Sequence, residues 1–181
     1  PDCQHCWDNS PHMEKNTTRI RALKTPHKKS QPEDVARMET CLGTINAAII
    51  LRYGEPFAQV HHEWPRSLRR GPLRQCYFNC FQAVADNPRR FVYCEGSACA
   101  GGNDYPSLHA WLYEPASGSA YDPTWRDGRN YFGIPFRFTY VAQTFLTQVD
   151  QNQGFALIDN WEAGWPLATA VPRSFLHRCC R

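Results

Sequence analysis

From Pro32 onward the apolar positions fall at helical spacing. Val35, Met38, Leu42, Ile45 and Ile49 recur every three or four residues, Pro32-Glu33-Asp34 suits a helix entrance, and Gly54 suits its exit. The pattern predicts one amphipathic helix packed on a core. "EPFAQVHHEWPRSLRRGP" is broken by three prolines and a glycine and reads as connecting structure. After Gly71-Pro72, "LRQCYFNCFQAVADNP" predicts a helix of roughly three turns that ends before Pro88, with Cys76 in or near its first turn.

Beyond that helix the period shortens. "RFVYCEGSACA" is strand-like through Phe91, Val92 and Tyr93 and then turns small and glycine-rich, and "GGNDYP" reads as a loop. "SLHAWLYE" alternates as a strand, with His109, Trp111 and Tyr113 on one side and Leu108, Ala110 and Leu112 on the other. "SAYDPTW" supplies the returning strand, stopped at Pro123. "NYFGIPF", residues 130 to 136, reads as a loop beside a cleft or as a hydrophobic chain crossing. Residues 137 to 150 predict a further helix against the strand preference of Thr139, Tyr140, Val141 and Thr144, and a short helix or strand follows in "FALIDNWEAGWPLATAVP". Residues 1 to 31 show no sustained apolar period and read as a polar arm, extended unless a metal fastens it; residues 32 to 181 read as a single α+β domain.

Composition supports one core. A chain of 181 residues with 42% hydrophobic and 13% aromatic content has apolar material for one compact domain and little room for two. No run of ~18 apolar residues is present, and the first residues lack the basic, apolar and small-residue blocks of a secretory signal, so the expectation is a cytoplasmic protein without a membrane partner. The formal charge of +3 does not demand a nucleic-acid partner. Basic residues are nevertheless uneven: Arg19, Arg21, Lys24, Lys28 and Lys29 lie in the arm, and Arg66, Arg69, Arg70 and Arg74 precede Cys76. Nine cysteines form an odd set, unlike the paired framework of a small secreted domain, and point to thiols or ligands.

The chemistry concentrates in the hairpin and the helix before it. With a turn at Glu114-Pro115-Ala116-Ser117, Tyr113 pairs with Gly118 and His109 falls opposite Asp122, with Cβ atoms about 5 Å apart on one face. A loop of odd length would put the two groups on opposite faces. Apart, each has an ordinary reading: a histidine stacked on tryptophan, and an aspartate capping amides before proline. Together they supply a base and the group that fixes its tautomer. Cys76 is the candidate nucleophile, because unpaired amides and the positive end of a helix dipole favour thiolate over thiol, and its own amide could face a developing oxyanion. Cys80, one turn on, reads as a small buried hydrophobe.

"QCYFNCFQAV", "FVYCEG", "HAWLYE" and "AYDPTW" together resemble the cysteine, histidine, aspartate order of the papain-like superfamily in its transglutaminase-like branch. The likeness covers roughly residues 71 to 125. It implies a papain-like or transglutaminase-like core, a cysteine-bearing helix packed on a small antiparallel sheet, with Cys76 as nucleophile, His109 as general acid and base, and Asp122 orienting it. It also implies a hydrolase or acyltransferase acting on an amide, isopeptide or thioester bond in a peptide, protein or small molecule, with no catalytic cofactor. No glutamine stands at the papain-like upstream distance, so Gln75, Gln59 and Asn79 are the substitutes for an oxyanion donor. Glu95, Trp111 and Trp125, with Tyr93 and Tyr113, are candidate pocket walls.

The termini carry a separate motif. Cys3 and Cys6 have the spacing of a metal knuckle, and Cys179 and Cys180 could complete a tetrahedral zinc site, with His5, His12 or His177 as alternates. The rival reading of the whole chain is therefore a zinc-stabilised binding module whose basic arm meets nucleic acid or an acidic protein. His61-His62 is a weaker hint of the same kind, since adjacent side chains diverge.

Overall fold

The computed structural model describes residues 32–58, 64–150 and 155–177. The predicted first helix is two helices, α1 (Pro32–Leu42) and α2 (Thr44–Tyr53). Gly43 between them has φ +79°, a left-handed conformation that side-chain-bearing residues avoid. Its amide donates to Glu39 O and its carbonyl accepts from Ala47 N, both at 3.0 Å, so one helix closes and the next opens around a single residue. Residues 46 to 51 of α2 are all buried, which makes it a core helix rather than an amphipathic one.

A five-stranded antiparallel sheet follows, ordered β1-β5-β2-β3-β4. Its strands are β1 (Glu55–Phe57), β2 (Val92–Cys99), β3 (Ser107–Glu114), β4 (Ser119–Tyr121) and β5 (Arg129–Phe136). Helix α3 (Cys76–Asp86) precedes β2, and α4 (Phe138–Asp150), α5 (Pro166–Thr169) and α6 (Pro172–Phe175) follow β5. The chain is thus α+β. "NYFGIPF" is a strand and not a loop, and β2 runs past the expected end at Tyr93 through all eight of its buried residues. Small residues are required there by strand spacing: Gly96 pairs with Gly133, and a Cβ on either would strike the backbone of the other strand.

The sheet curls until its edges meet. Ala120 N of β4 donates to Ala58 O, just beyond β1, at 3.0 Å. One face gathers Phe57, Val92, Cys94, Trp111 and Tyr131 into a small core. The other carries the larger core, where Leu112 and Tyr93 meet Ile49, Val84 and Phe145 of the helices. The alternation predicted for β3 holds: Leu108, Ala110 and Leu112 face the helices, while Trp111 and Tyr113 face the smaller core. Among the described residues, no helix is long and apolar enough to cross a membrane.

Candidate active site

The hairpin register differs from the expected one by two residues. Leu112 pairs with Tyr121, Tyr113 with Ala120 and Glu114 with Ser119, so the loop is Pro115 to Gly118. Gly118 takes φ +70° and returns its amide to Glu114 O at 2.9 Å, so a four-residue loop sits one position later than expected and ends on a left-handed residue. Because the shift is an even number, His109 and Asp122 keep the same face. They meet diagonally instead of directly: His109 Nε2 donates to Asp122 Oδ2 at 2.7 Å, with both residues almost wholly buried.

Asp122 lies just past the end of β4, where Pro123 interrupts pairing, and its carboxylate is fully occupied. Oδ1 accepts the amides of Thr124 and Trp125, both at 2.8 Å, which folds the segment after Pro123 back over the site. Oδ2 accepts the Tyr131 hydroxyl at 2.8 Å as well as the imidazole. Gly128 leaves room for this, since a Cβ there would collide with the Tyr131 hydroxyl. The returned segment lays Trp125 flat on His109, with ring centroids 3.6 Å apart and planes 7° from parallel.

Cys76 comes from the other side. It is the first residue of α3, half-buried, and its thiol lies close enough to the His109 ring to raise the basicity of the imidazole. Since Nε2 is committed to Asp122, Nδ1 is the nitrogen left for the sulfur. Burial by itself would lower the basicity of His109. The hydrogen bonds to Asp122 and Cys76, with their charges, outweigh it and push the imidazole up to about 9. The base therefore carries its proton through neutral pH. Burial holds the Cys80 thiol well above its ordinary value, with no exposed surface, in keeping with a packing role.

What positions α3 is a lacing of its N-terminus to the segment after β4. Gln75 caps the helix through its carbonyl, which accepts Asn79 N at 2.8 Å, and its side chain makes no capping bond. Asn79 Nδ2 donates to Pro72 O at 2.8 Å and to Thr124 Oγ1 at 2.9 Å. Gly71 N donates to Pro123 O at 2.9 Å, and a Cβ on Gly71 would collide with the Asn79 side chain. Cys76 and Asp122 are thus registered through Asn79, whose two amide protons are both spent. The amides of Cys76, Tyr77 and Phe78 precede the first intrahelical donor, Asn79 N.

The remaining sequence candidates divide by burial. Trp125 touches the imidazole and Gln75 is exposed one residue from the thiol. Trp111 is inaccessible in the smaller core, against Tyr131 and Phe57, and reaches no cleft. Glu95 is likewise interior: it accepts Tyr93 OH at 2.6 Å, Leu157 N at 2.9 and 3.0 Å, and Ile158 N at 3.1 Å. Burial, against the lowering effect of those donors, pushes its carboxyl up to about 7. Its work is to fasten the chain after α4 to β2. Gln59, His61, His62, Cys3, Cys6, His5, His12, Cys179 and Cys180 lie outside the described residues. His177 lines a cavity of about 410 Å³ with Phe91, Phe136, Arg137 and Phe138, which no member of the triad borders. Among the described residues no group of three or more His, Cys, Asp or Glu side chains could hold a metal ion.

Tyr131, Thr124 and Arg70 are site residues that sequence reasoning passed over. Arg70 donates from Nη1 to Asp122 O at 3.2 Å and Trp125 O at 3.4 Å, and its guanidinium lies 3.9 Å from the centre of the Trp64 ring. Thr124 stood in the quoted Asp-Pro-Thr motif. Tyr131 was signalled only by alternation in a stretch that Gly133 and Pro135 disguise. The chain matches no family model, no curated protein and no solved structure.

Proposed function

We propose that the protein is a cysteine-dependent acyl-transfer enzyme of papain-like type, transglutaminase-like in its order of residues, acting on an amide, isopeptide or thioester bond. The observation that carries this reading is the meeting of Cys76, His109 and Asp122 from a helix N-terminus, a strand and the turn after a second strand. With its proton given up, the Cys76 sulfur beside an imidazolium is a nucleophile and an acid already paired.

In the first half-reaction the Cys76 thiolate adds to the carbonyl carbon, and the carbonyl oxygen takes the negative charge. Amides at the start of α3 are the donors available to that oxyanion. Collapse of the adduct breaks the carbon–nitrogen or carbon–sulfur bond, and the leaving group takes the proton from His109. The acyl group now sits on Cys76 as a thioester. In the second half-reaction neutral His109 accepts a proton from water or an amine as that nucleophile attacks the thioester, and Cys76 leaves as thiolate. Asp122 and Tyr131 hold the imidazole in place through both.

A chromogenic thioester or activated amide tests the cycle. A stoichiometric burst of leaving group, followed by slower turnover, is expected from the native chain. It should be absent in Cys76→Ala, and intact mass should show the acyl adduct on the native chain alone. Leaving-group release that survives Cys76→Ala would remove the proposal.

A further inference from the structure

The loop that leads into Cys76 is strongly basic. Residues 64 to 75 contain Arg66, Arg69, Arg70 and Arg74 and no acidic residue, and all four arginines are exposed. Arg126, directly after Trp125, is a fifth exposed cation. Among the described residues the ion pairs are Arg90 with Glu114, His109 with Asp122, and Arg129 with Asp104. Arg66, Arg69, Arg74 and Arg126 therefore have no carboxylate partner there. Asp127, the acid next to Arg126, lies against Gly101.

These charges are tied to the site. Arg70 is anchored on the carbonyls of Asp122 and Trp125 and stacked on Trp64, so the loop cannot drift from the triad without breaking those contacts. Arg74, two residues before Cys76, is held at φ +63°. For an arginine that conformation costs on the order of 1 kcal/mol, a strain of the kind retained where a backbone must take a special course beside a reacting group. Exposed arginines of like sign repel one another, and a bound anion relieves them.

We propose that this loop recognises carboxylates flanking the reacting bond, so that the substrate is an acidic, Asp- or Glu-rich peptide segment. The inference rests on the acyl-transfer reading above. A peptide supplies both the negative charge and the acyl carbon, whereas a nucleic acid supplies only charge. The basic run is also short and local to the thiol, with a whole-chain charge of only +3, too small for a polyanion-tracking surface.

The test uses fluorescent hexaglutamate, hexaglutamine and single-stranded oligothymidylate as probes. Anisotropy is read on the full chain and on the combined Arg66→Gln, Arg69→Gln, Arg74→Gln variant, and iodoacetamide labelling of Cys76 is followed with each probe present. Hexaglutamate should bind the native chain, bind the variant about tenfold more weakly, as the loss of three exposed charge pairs allows, and slow labelling of Cys76. Equal binding of hexaglutamine, unchanged binding by the variant, or tighter binding and better protection by the oligonucleotide would each overturn it. Failure of the enzyme reading looks different: Cys76 would then label no faster than an ordinary thiol in the absence of any probe, whatever hexaglutamate does.

Discussion

His109 and Trp125 lie face to face, 3.6 Å between centroids and 7° from parallel, closer than any other aromatic pair described for this chain. The indole lies over one face of the imidazole, and its π-face favours the charged ring by about 1–2 kcal/mol. Trp125→Ala should bring the alkaline limb of turnover down by about one pH unit, and Trp125→Phe should recover part of the loss. A pH–rate profile of the three proteins reads this directly.

The charge on His109 sets a pH window. Its folded value is raised from 6.5 to about 9, so the stability it contributes is fully present below 6.5 and is lost as pH rises through 9. The loss is on the order of 3 kcal/mol. Urea unfolding at a series of pH values across that window should show a decline in the native chain that is absent from His109→Gln. Turnover should fall over the same upper range, because the leaving group then finds no acid.

Asp122 has two jobs that one substitution can separate. In Asp122→Asn the side-chain oxygen can still accept from Thr124 N and Trp125 N, while the charge facing His109 disappears. Turnover should drop by roughly 10³ to 10⁴-fold, as for loss of an orienting carboxylate, and at neutral pH the melting temperature should fall by the part of the His109 stabilisation that this charge supplies. Asp122→Ala should lose comparable activity and unfold at a distinctly lower temperature, since it frees two buried amides. Calorimetry beside initial rates distinguishes the two variants.

Asn79 joins the two halves of the site without touching the reaction. Asn79→Ala strands Pro72 O and Thr124 Oγ1, at about 1–3 kcal/mol for a group left unpaired. It should also reduce kcat more than it raises KM, by loosening Cys76 relative to His109. Asn79→Asp should not rescue, because a carboxylate cannot donate to Pro72 O.

Glu95 belongs to the scaffold. Glu95→Gln turns an amide group toward donors that need an acceptor, and should destabilise the fold by about 2–3 kcal/mol while leaving the ratio of rates for acidic and neutral substrates unchanged. Denaturant unfolding with parallel kinetics checks both halves.

Much of this arrangement was legible along the chain. The bounds of β3, a helix with Cys76 in or near its first turn, and the shared face of His109 and Asp122 all follow from period, breakers and parity. The register was not, because a loop of the same four-residue length fits one position earlier, and it is the left-handed Gly118, with its amide on Glu114 O, that ends the loop one residue later. The division of the first helix at Gly43 hid behind an apolar period that continues across it. Strand β5 was disguised by Pro135, which disfavours a central strand. The proline is tolerated because β1 pairs only with Tyr131 to Gly133, and beyond it β5 meets a single bridge, Phe136 to Leu176, in which Pro135 is asked only to accept, its carbonyl taking His177 N at 3.0 Å. With β5 unread, Tyr131 could not be placed against Asp122.

The bond from Ala120 to Ala58 spends the outer side of β4 on the chain just beyond β1. A peptide adding itself as a strand at that meeting would have to displace this bond, so the seam between β1 and β4 is a poor place to hold an extended acyl donor. On the acyl-transfer reading, the donor is then gripped by side chains and helix amides around the thiol. Selectivity would then reside in the approach loop before α3 and in the segment after β4, where exchanging a few residues can change the preferred guest while the strands stay as they are.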